Sequence, residues 1–244
     1  IYEHEGTVYN GTVTINGGEV SENSAKYGGG VYIESGDFTI TGGKISENTS
    51  INGAGGGVYV KDGTFTIEND SLISKNTSCG NGGGVFAEGG NITINGGSIS
   101  ENILSDNTFG GGVYVSGGTF TMEGGEISNN YGFYGGGVAT LGSFSMSGGT
   151  ISGNIVTNSS DGSGGNGSAV AVLTGGLFTV SESITINGDV YLLNNQTITV
   201  SNNFEGGEVM ITPYMYESSG VGVQVLKPIE GTSLTTEIVR KFEV

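Results

Sequence analysis

Several residue types are scarce in this sequence of 244 residues, and each scarcity excludes a class of protein. A single cysteine, Cys79, excludes an internal disulfide framework. The two prolines and the lack of a Gly-X-Y period exclude collagen despite 50 glycines. Seven basic residues against 24 acidic ones give a formal charge of -17, which repels polyanions, so we expect no nucleic-acid partner. No apolar run is long enough to span a bilayer, so this chain is predicted to contain no transmembrane segment.

Glycine tripeptides recur at a nearly constant interval and divide the sequence into repeats. Their last residues lie 27, 27, 28 and 25 positions apart, at Gly30, Gly57, Gly84, Gly112 and Gly137. Each unit contains a Phe-Thr-Ile, an x-Ile-Ser and a Val-Tyr-Val segment, separated by glycine or asparagine. These segments alternate apolar and polar residues with a period of two, which is typical of β-strands.

A unit of three short strands cannot bury its own apolar face, whereas stacked units share a continuous core. The sequence therefore predicts an all-β fold, a right-handed parallel β-helix (solenoid) with about three short strands per coil and roughly eight coils. Residues 1–201 form the predicted repeat domain, and residues 202–244 form a C-terminal β cap packed on the last coil. Phe38, Ile40, Ile45 and their equivalents should point inward. A stacked amide ladder is expected from Asn23, Asn48, Asn76, Asn102, Asn130 and Asn154.

Two motifs follow one another in each repeat in an order that resembles a known family. Ile45-x-x-Asn48 followed by Gly55-Gly56-Gly57-Val58-Tyr59 resembles the repeat pair of the polymorphic membrane protein adhesins, Phe-x-x-Asn and Gly-Gly-Ala-Ile. Five units match, over about residues 11 to 140, with Ile or Val for the motif phenylalanine and Gly for its alanine. The chain is also similar to β-helix repeat proteins of anaerobic gut and oral bacteria. The resemblance implies a bacterial protein that is secreted or displayed on the cell surface and acts in adhesion.

Residues that could carry catalysis are few. The sequence has one histidine, His4, and one arginine, Arg240, whereas lyases that act on uronates need cationic or metal-bound groups. Glycosidases need paired carboxylates with separated roles, but the acidic residues here lie at variable positions of the repeat. We therefore predict a non-catalytic extracellular module, adhesin-like or a rigid spacer, with no cofactor and no metal site. The alternative is a carbohydrate-binding accessory module or a weakly active relative of polysaccharide-degrading β-helix enzymes.

Two aromatic features are candidates for binding a glycan or a host or neighbouring cell-surface protein. The central residues of the Val-Tyr-Val strands should form an outward column of Tyr32, Tyr59, Phe86 and Tyr114. This column is either an exposed recognition surface or a stacked sheet face covered by a neighbouring loop. The stretches before the glycine tripeptides vary in length, so insertions should line one edge of the solenoid. That edge carries Tyr27, Phe109, Tyr131, Phe133 and Tyr134.

Overall fold

The computed structural model describes residues 11–157, 165–194, 196–206, 209–213, 226–228, 233 and 242–243. Strands of successive repeats pair in parallel and stack into four sheets along the axis of a solenoid, which confirms the all-β parallel β-helix. The sheet of x-Ile-Ser segments has seven strands, so there are about seven turns rather than the eight expected. No helix within these described ranges is long and apolar enough to cross a membrane.

The strands are named here by sheet, in the order in which one coil visits them. Sheet 1 comprises Thr12–Ile15, Asp37–Ile40, Thr64–Ile67, Asn91–Ile94, Thr119–Met122, Ser143–Met146, Leu177–Val180, Ile198–Val200 and Leu226–Pro228. Sheet 2 comprises Glu19–Ser21, Lys44–Ser46, Leu72–Ser74, Ser98–Ser100, Glu126–Ser128, Thr150–Ser152 and Thr185–Asn187. Sheet 3 comprises Ser24–Ala25, Thr49–Ser50, Thr77–Ser78, Ile103–Leu104, Tyr131–Gly132 and Ile155–Val156. Sheet 4 comprises Val31–Ile33, Val58–Val60, Val85–Ala87, Val113–Val115, Val138–Thr140, Val170–Val172, Asp189–Leu192, Val209–Pro213 and Phe242–Glu243.

The main core fills the inside of the coils. Because successive side chains of a strand point to opposite faces, each repeat contributes the same apolar positions to the interior. Ile40 and Ile45 are fully buried there, as predicted, and Phe38 is almost so. In sheet 1 the ring of Phe144 stacks on Phe120 and Phe178, with centroids 4.5 Å and 4.9 Å apart. The repeat therefore specifies both the strand pairing and the packing.

The predicted asparagine ladder is present, and a fourth strand column accompanies it. Asn102 illustrates the ladder: its side-chain Nδ2 donates to Asn130 Oδ1 at 2.9 Å and to the Ile73 carbonyl at 3.0 Å. Its Oδ1 accepts from the backbone N–H and the side-chain Nδ2 of Asn76. Each of the six ladder asparagines directly precedes a two-residue strand of sheet 3. The turn that the ladder stabilises thus creates this additional short sheet.

Two separate physical reasons explain why glycine occupies the first and third positions of each tripeptide. Their first residue has a left-handed backbone, as at Gly55 with φ of 69°, which glycine adopts without a steric penalty. Their third residue lies against the ladder, because a Cβ at Gly57 would be 2.8 Å from the Gly84 carbonyl oxygen and 2.9 Å from Asn76 Nδ2. A left-handed turn conformation therefore explains the first glycine, and close packing explains the third.

The described strands beyond residue 201 continue two existing sheets. Val209–Pro213 pairs in parallel with Asp189–Leu192, and Leu226–Pro228 pairs in parallel with Ile198–Val200. Phe242–Glu243 adds to the Val209–Pro213 strand. Most of the predicted cap, 202–244, lies outside the described residues, so its separate packing on the last coil stays a prediction.

Candidate functional site

The outer face of sheet 4 carries a second buried cluster, separate from the main core. Its central residues are paired in register from coil to coil, and we call them the aromatic column: Tyr32, Tyr59, Phe86, Tyr114, Ala139, Ala171 and Tyr191. Ring centroids lie 4.8 Å apart for Tyr59 and Phe86 and 5.5 Å apart for Phe86 and Tyr114. Sheet 4 is thus packed on both of its faces.

Loop residues cover the middle of the aromatic column. Phe109 stacks on Tyr114 with centroids 5.6 Å apart, and Tyr134 stacks on Phe109 at 5.5 Å. Both rings pack against the cluster that contains Ala139 and Ala171. The small alanines leave room for aromatic rings supplied from the loop edge instead of from the strand.

The prediction that the column is exposed is therefore wrong for Tyr59, Phe86 and Tyr114, which are all buried. The physical reason is the loop cover, which was the other possibility left open by the sequence. Tyr32, in the first described coil, is the exception at 42% exposed. The outward direction of all four side chains was predicted correctly.

The five aromatic residues of the predicted edge divide into three groups. Tyr27 is 41% exposed and lies beside Tyr59. Phe109 and Tyr134 are half-buried in the cover of the column, and Phe133 is buried with its ring edge-on to Tyr134. Tyr131 belongs to sheet 3, where it is 38% exposed and pairs with Ile103 and Ile155.

The structure brings Tyr27 and Tyr32 against the same buried ring, that of Tyr59. Each has its ring centroid 5.2 Å from that of Tyr59, and the rings of Tyr32 and Tyr59 are stacked with an interplanar angle of 20°. We call Tyr27 and Tyr32 the exposed tyrosine pair. They are the part of the aromatic column and its cover that is open to solvent at this end.

Charged side chains surround the exposed tyrosine pair. Lys61 Nζ donates to Glu34 Oε1 at 2.6 Å, and the Tyr59 hydroxyl donates to Glu88 Oε2 at 2.8 Å. The Lys26 ammonium lies 4.9 Å from the centroid of the Tyr27 ring. The pair is therefore bordered by both carboxylates and ammonium groups.

The environment keeps these phenols neutral. Burial is the main cause that raises the pKa of Tyr32, and the nearby Glu34 carboxylate raises it further. Burial also raises the pKa of Tyr59 well above its usual value, with a second contribution from the hydrogen bond to Glu88. Neutral rings flanked by hydrogen-bonding groups can stack on an apolar face and bond to hydroxyl groups at its rim.

A cavity of about 180 Å³ adjoins Tyr32 in the first described coil. Its apolar wall includes Val13, Val31 and Phe38, and its polar rim includes Glu34 and Asp37. The cavity extends the surface of Tyr32 towards sheet 1.

Three further residues were singled out by the sequence. Cys79 is a free, half-buried thiol, and His4 and Arg240 lie outside the described residues. Across the described ranges, no group of three or more His, Cys, Asp or Glu side chains could hold a metal ion.

Comparison with known proteins identifies no relative. No family model matches the chain, and neither a curated protein nor a solved structure matches it at a significant level.

Proposed function

We propose that this chain is an adhesin-like, non-catalytic module of a secreted or surface-displayed bacterial protein, and that it binds an uncharged glycan through the exposed tyrosine pair. One observation carries the proposal. Loops cover the aromatic column in the middle coils but leave Tyr27 and Tyr32 about two-fifths exposed, at 41% and 42%. Exposed aromatic rings on a rigid support are a common basis of recognition.

The chemistry around the pair favours a sugar. The face of a tyrosine ring can pack against the C–H groups of a sugar ring, while carboxylates accept hydrogen bonds from its hydroxyl groups. Glu34 and Glu88 are held in place by their bonds to Lys61 and Tyr59. The formal charge of -17 disfavours uronates and sulfated sugars, so the proposed ligand carries no charge.

The solenoid supplies the rigidity that such a site needs. Tyr32 and Tyr59 belong to adjacent strands paired in register, and the ring of Tyr59 is buried between neighbours. Little side-chain entropy is then lost when a ligand stacks on the pair.

The test is binding of the purified chain to a panel of neutral and acidic glycans, repeated with Tyr27→Ala and Tyr32→Ala. We expect each substitution to weaken binding to the best neutral glycan about tenfold, or about 1.4 kcal/mol. Tyr131→Ala is the matched control, because Tyr131 is similarly exposed but belongs to sheet 3.

Two results contradict the proposal. One is a weakening by Tyr131→Ala as large as that caused by Tyr32→Ala. The other is an absence of binding to every glycan of the panel, which leaves the spacer role or a protein partner.

A further inference from the structure

A groove on the outer face of sheet 2 is a second, independent feature. Three sets of residues line it: Glu19, Lys44 and Leu72 begin their strands, Ser46, Ser74 and Ser100 end theirs, and Glu47, Lys75 and Glu101 directly follow. From this order along the strands, we call the first set the first wall, the serines the floor and the last set the second wall. The volume of the groove is about 210 Å³. Because these residues come from successive coils that pair in register, the groove runs along the axis of the solenoid. We call it the serine groove.

The second wall is built on an unfavourable backbone conformation. Glu47, Lys75 and Glu101 have φ of 57°, 55° and 57°, in the left-handed region. That region costs a residue with a Cβ roughly 1–2 kcal/mol, and only glycine and, to a lesser degree, asparagine adopt it readily. The next two coils have Asn129 and Gly153 at this position, with φ of 55° and 62°.

The long charged side chains are therefore not required by the turn. Asn129 and Gly153 show that the same turn forms with residues that suit it better. Glu47, Lys75 and Glu101 are exposed, and their side chains make no hydrogen bond or ion pair with any described residue. These side chains thus contribute little to the stability of the fold, although they line the serine groove.

The charges of the groove restrict its ligand. Both walls combine negative and positive side chains. Glu19 and Lys44 line the first wall, and Glu47, Lys75 and Glu101 alternate in charge along the second. The glutamates repel a polyanion, and the lysines repel a polycation. Hydroxyl groups both donate to carboxylates and accept from ammonium groups, so a polyhydroxylated, uncharged chain suits both signs.

The floor supports the same assignment. Ser46 Oγ donates to Glu19 Oε1 at 2.6 Å, which joins the floor to one wall. The three floor serines lie on adjacent parallel strands, where the spacing is about 4.8 Å. Ser46 and Ser74 are almost buried, so their hydroxyl groups lie at the bottom of the groove in a row along the axis.

We infer that the serine groove binds an extended, uncharged polysaccharide chain aligned with the solenoid axis. This site lies on a different sheet from the exposed tyrosine pair and goes beyond the function proposed above. Both sites can engage one long glycan or two separate chains.

The experiment replaces Glu47, Lys75 and Glu101 together by asparagine, the residue found at position 129. Because asparagine tolerates the left-handed turn better, we expect the urea midpoint of this variant to stay the same or rise. Its affinity for neutral oligosaccharides of six or more sugar units, measured by calorimetry, is expected to fall at least tenfold. The combination of undiminished stability with lost binding separates a ligand role from a structural one.

A double variant, Tyr27→Ala with Tyr32→Ala, isolates the groove. Residual oligosaccharide binding in this background, abolished by the asparagine triple substitution, supports the groove. Loss of all binding in the tyrosine double variant, with wild-type affinity in the triple variant, overturns the groove inference and leaves the tyrosine site standing. The opposite pattern, with full affinity in the tyrosine double variant, rejects the tyrosine site and supports the groove.

Ligand class is tested with matched polymers. We expect neither polygalacturonate nor oligolysine to bind with the affinity of the neutral chain, and tighter binding of either polymer in the groove overturns the inference. Asn129→Glu is the control, because it adds a carboxylate to the same column outside the residues that line the groove. It should lower stability slightly and leave affinity unchanged.

Discussion

The asparagine ladder permits a quantitative prediction for Asn102→Ala. Four hydrogen bonds involve the Asn102 side chain: two donated by Nδ2, to Ile73 and Asn130, and two accepted by Oδ1 from Asn76. A typical buried hydrogen bond contributes about 1 kcal/mol net, so their loss amounts to about 4 kcal/mol. The substitution also leaves the buried Asn76 N–H without its acceptor, which adds to the penalty.

The measurement is urea unfolding followed by circular dichroism, with Asn23→Ala as the matched control. Asn23 is exposed at the end of the ladder, and its side chain makes two hydrogen bonds, to Ser21 and Asn48. We expect the control to lose about 1 kcal/mol or less. A loss below about 1 kcal/mol for Asn102→Ala, or equal losses for the two variants, would refute the view that the buried ladder carries this stability.

Two further predictions concern pH and glycine. Burial raises the pKa of Tyr114, and burial with a hydrogen bond to Glu88 raises that of Tyr59, so both phenols are neutral in the folded state at pH values where the unfolded chain ionises them. The stability that they contribute is complete below about pH 10 and is lost as pH rises through their folded pKa values. Urea midpoints measured at increasing alkaline pH should fall less steeply for Tyr114→Phe than for the wild type, and an unchanged slope contradicts the assignment. Gly57→Ala should destabilise the fold by about 2 kcal/mol or more, because its Cβ would lie 2.9 Å from Asn76 Nδ2 of the ladder. Gly17→Ala should be tolerated, because its Cβ would lie 4.0 Å from the Gly42 carbonyl oxygen. Equal thermal midpoints for these two variants contradict the packing argument.

The columns of stacked strands in sheets 1, 2 and 4 could be predicted from the sequence because one apolar pattern is repeated in every coil. Phe65, Phe120 and Phe144 occupy the same position of the unit, and the period of two places all three in the core. The ladder asparagines were predicted for a similar reason, since a polar residue at a fixed place in a stacked repeat meets its own copies. Periodicity in these cases determines both the neighbour and the direction of the side chain.

Sheet 3 was not predicted because its strands have two residues, too few to show an alternation. Ser24–Ala25 and Thr49–Ser50 contain no apolar residue larger than alanine, whereas Ile103–Leu104 is apolar throughout, so the strands of this sheet share no sequence pattern. Their strand geometry follows from the preceding asparagine. Local sequence alone does not contain that information.

The cover of the aromatic column depends on contacts between loops and strands of different coils. Tyr134 packs against the buried cluster that contains Ala139 and Ala171. The signal available in the sequence was the change from tyrosine to alanine at Ala139, directly after the aromatic loop residues Phe133 and Tyr134. Composition alone could not show whether those rings turn towards the column or towards solvent, because both directions are possible for an irregular segment.

The hydrogen bonds of the ladder also align the side-chain amides into a net dipole along the solenoid axis. In every pair from Asn23 to Asn154, the side-chain amide nitrogen of one coil donates to the amide oxygen of the following coil. The amide dipoles consequently point the same way and add along the axis, with the oxygen end at Asn23 and the nitrogen end at Asn154. Aligned amides polarise one another, so the bonds in the centre are stronger than those at the ends. We therefore expect hydrogen exchange of the ladder amides to be slowest near Asn102 and to quicken towards both ends.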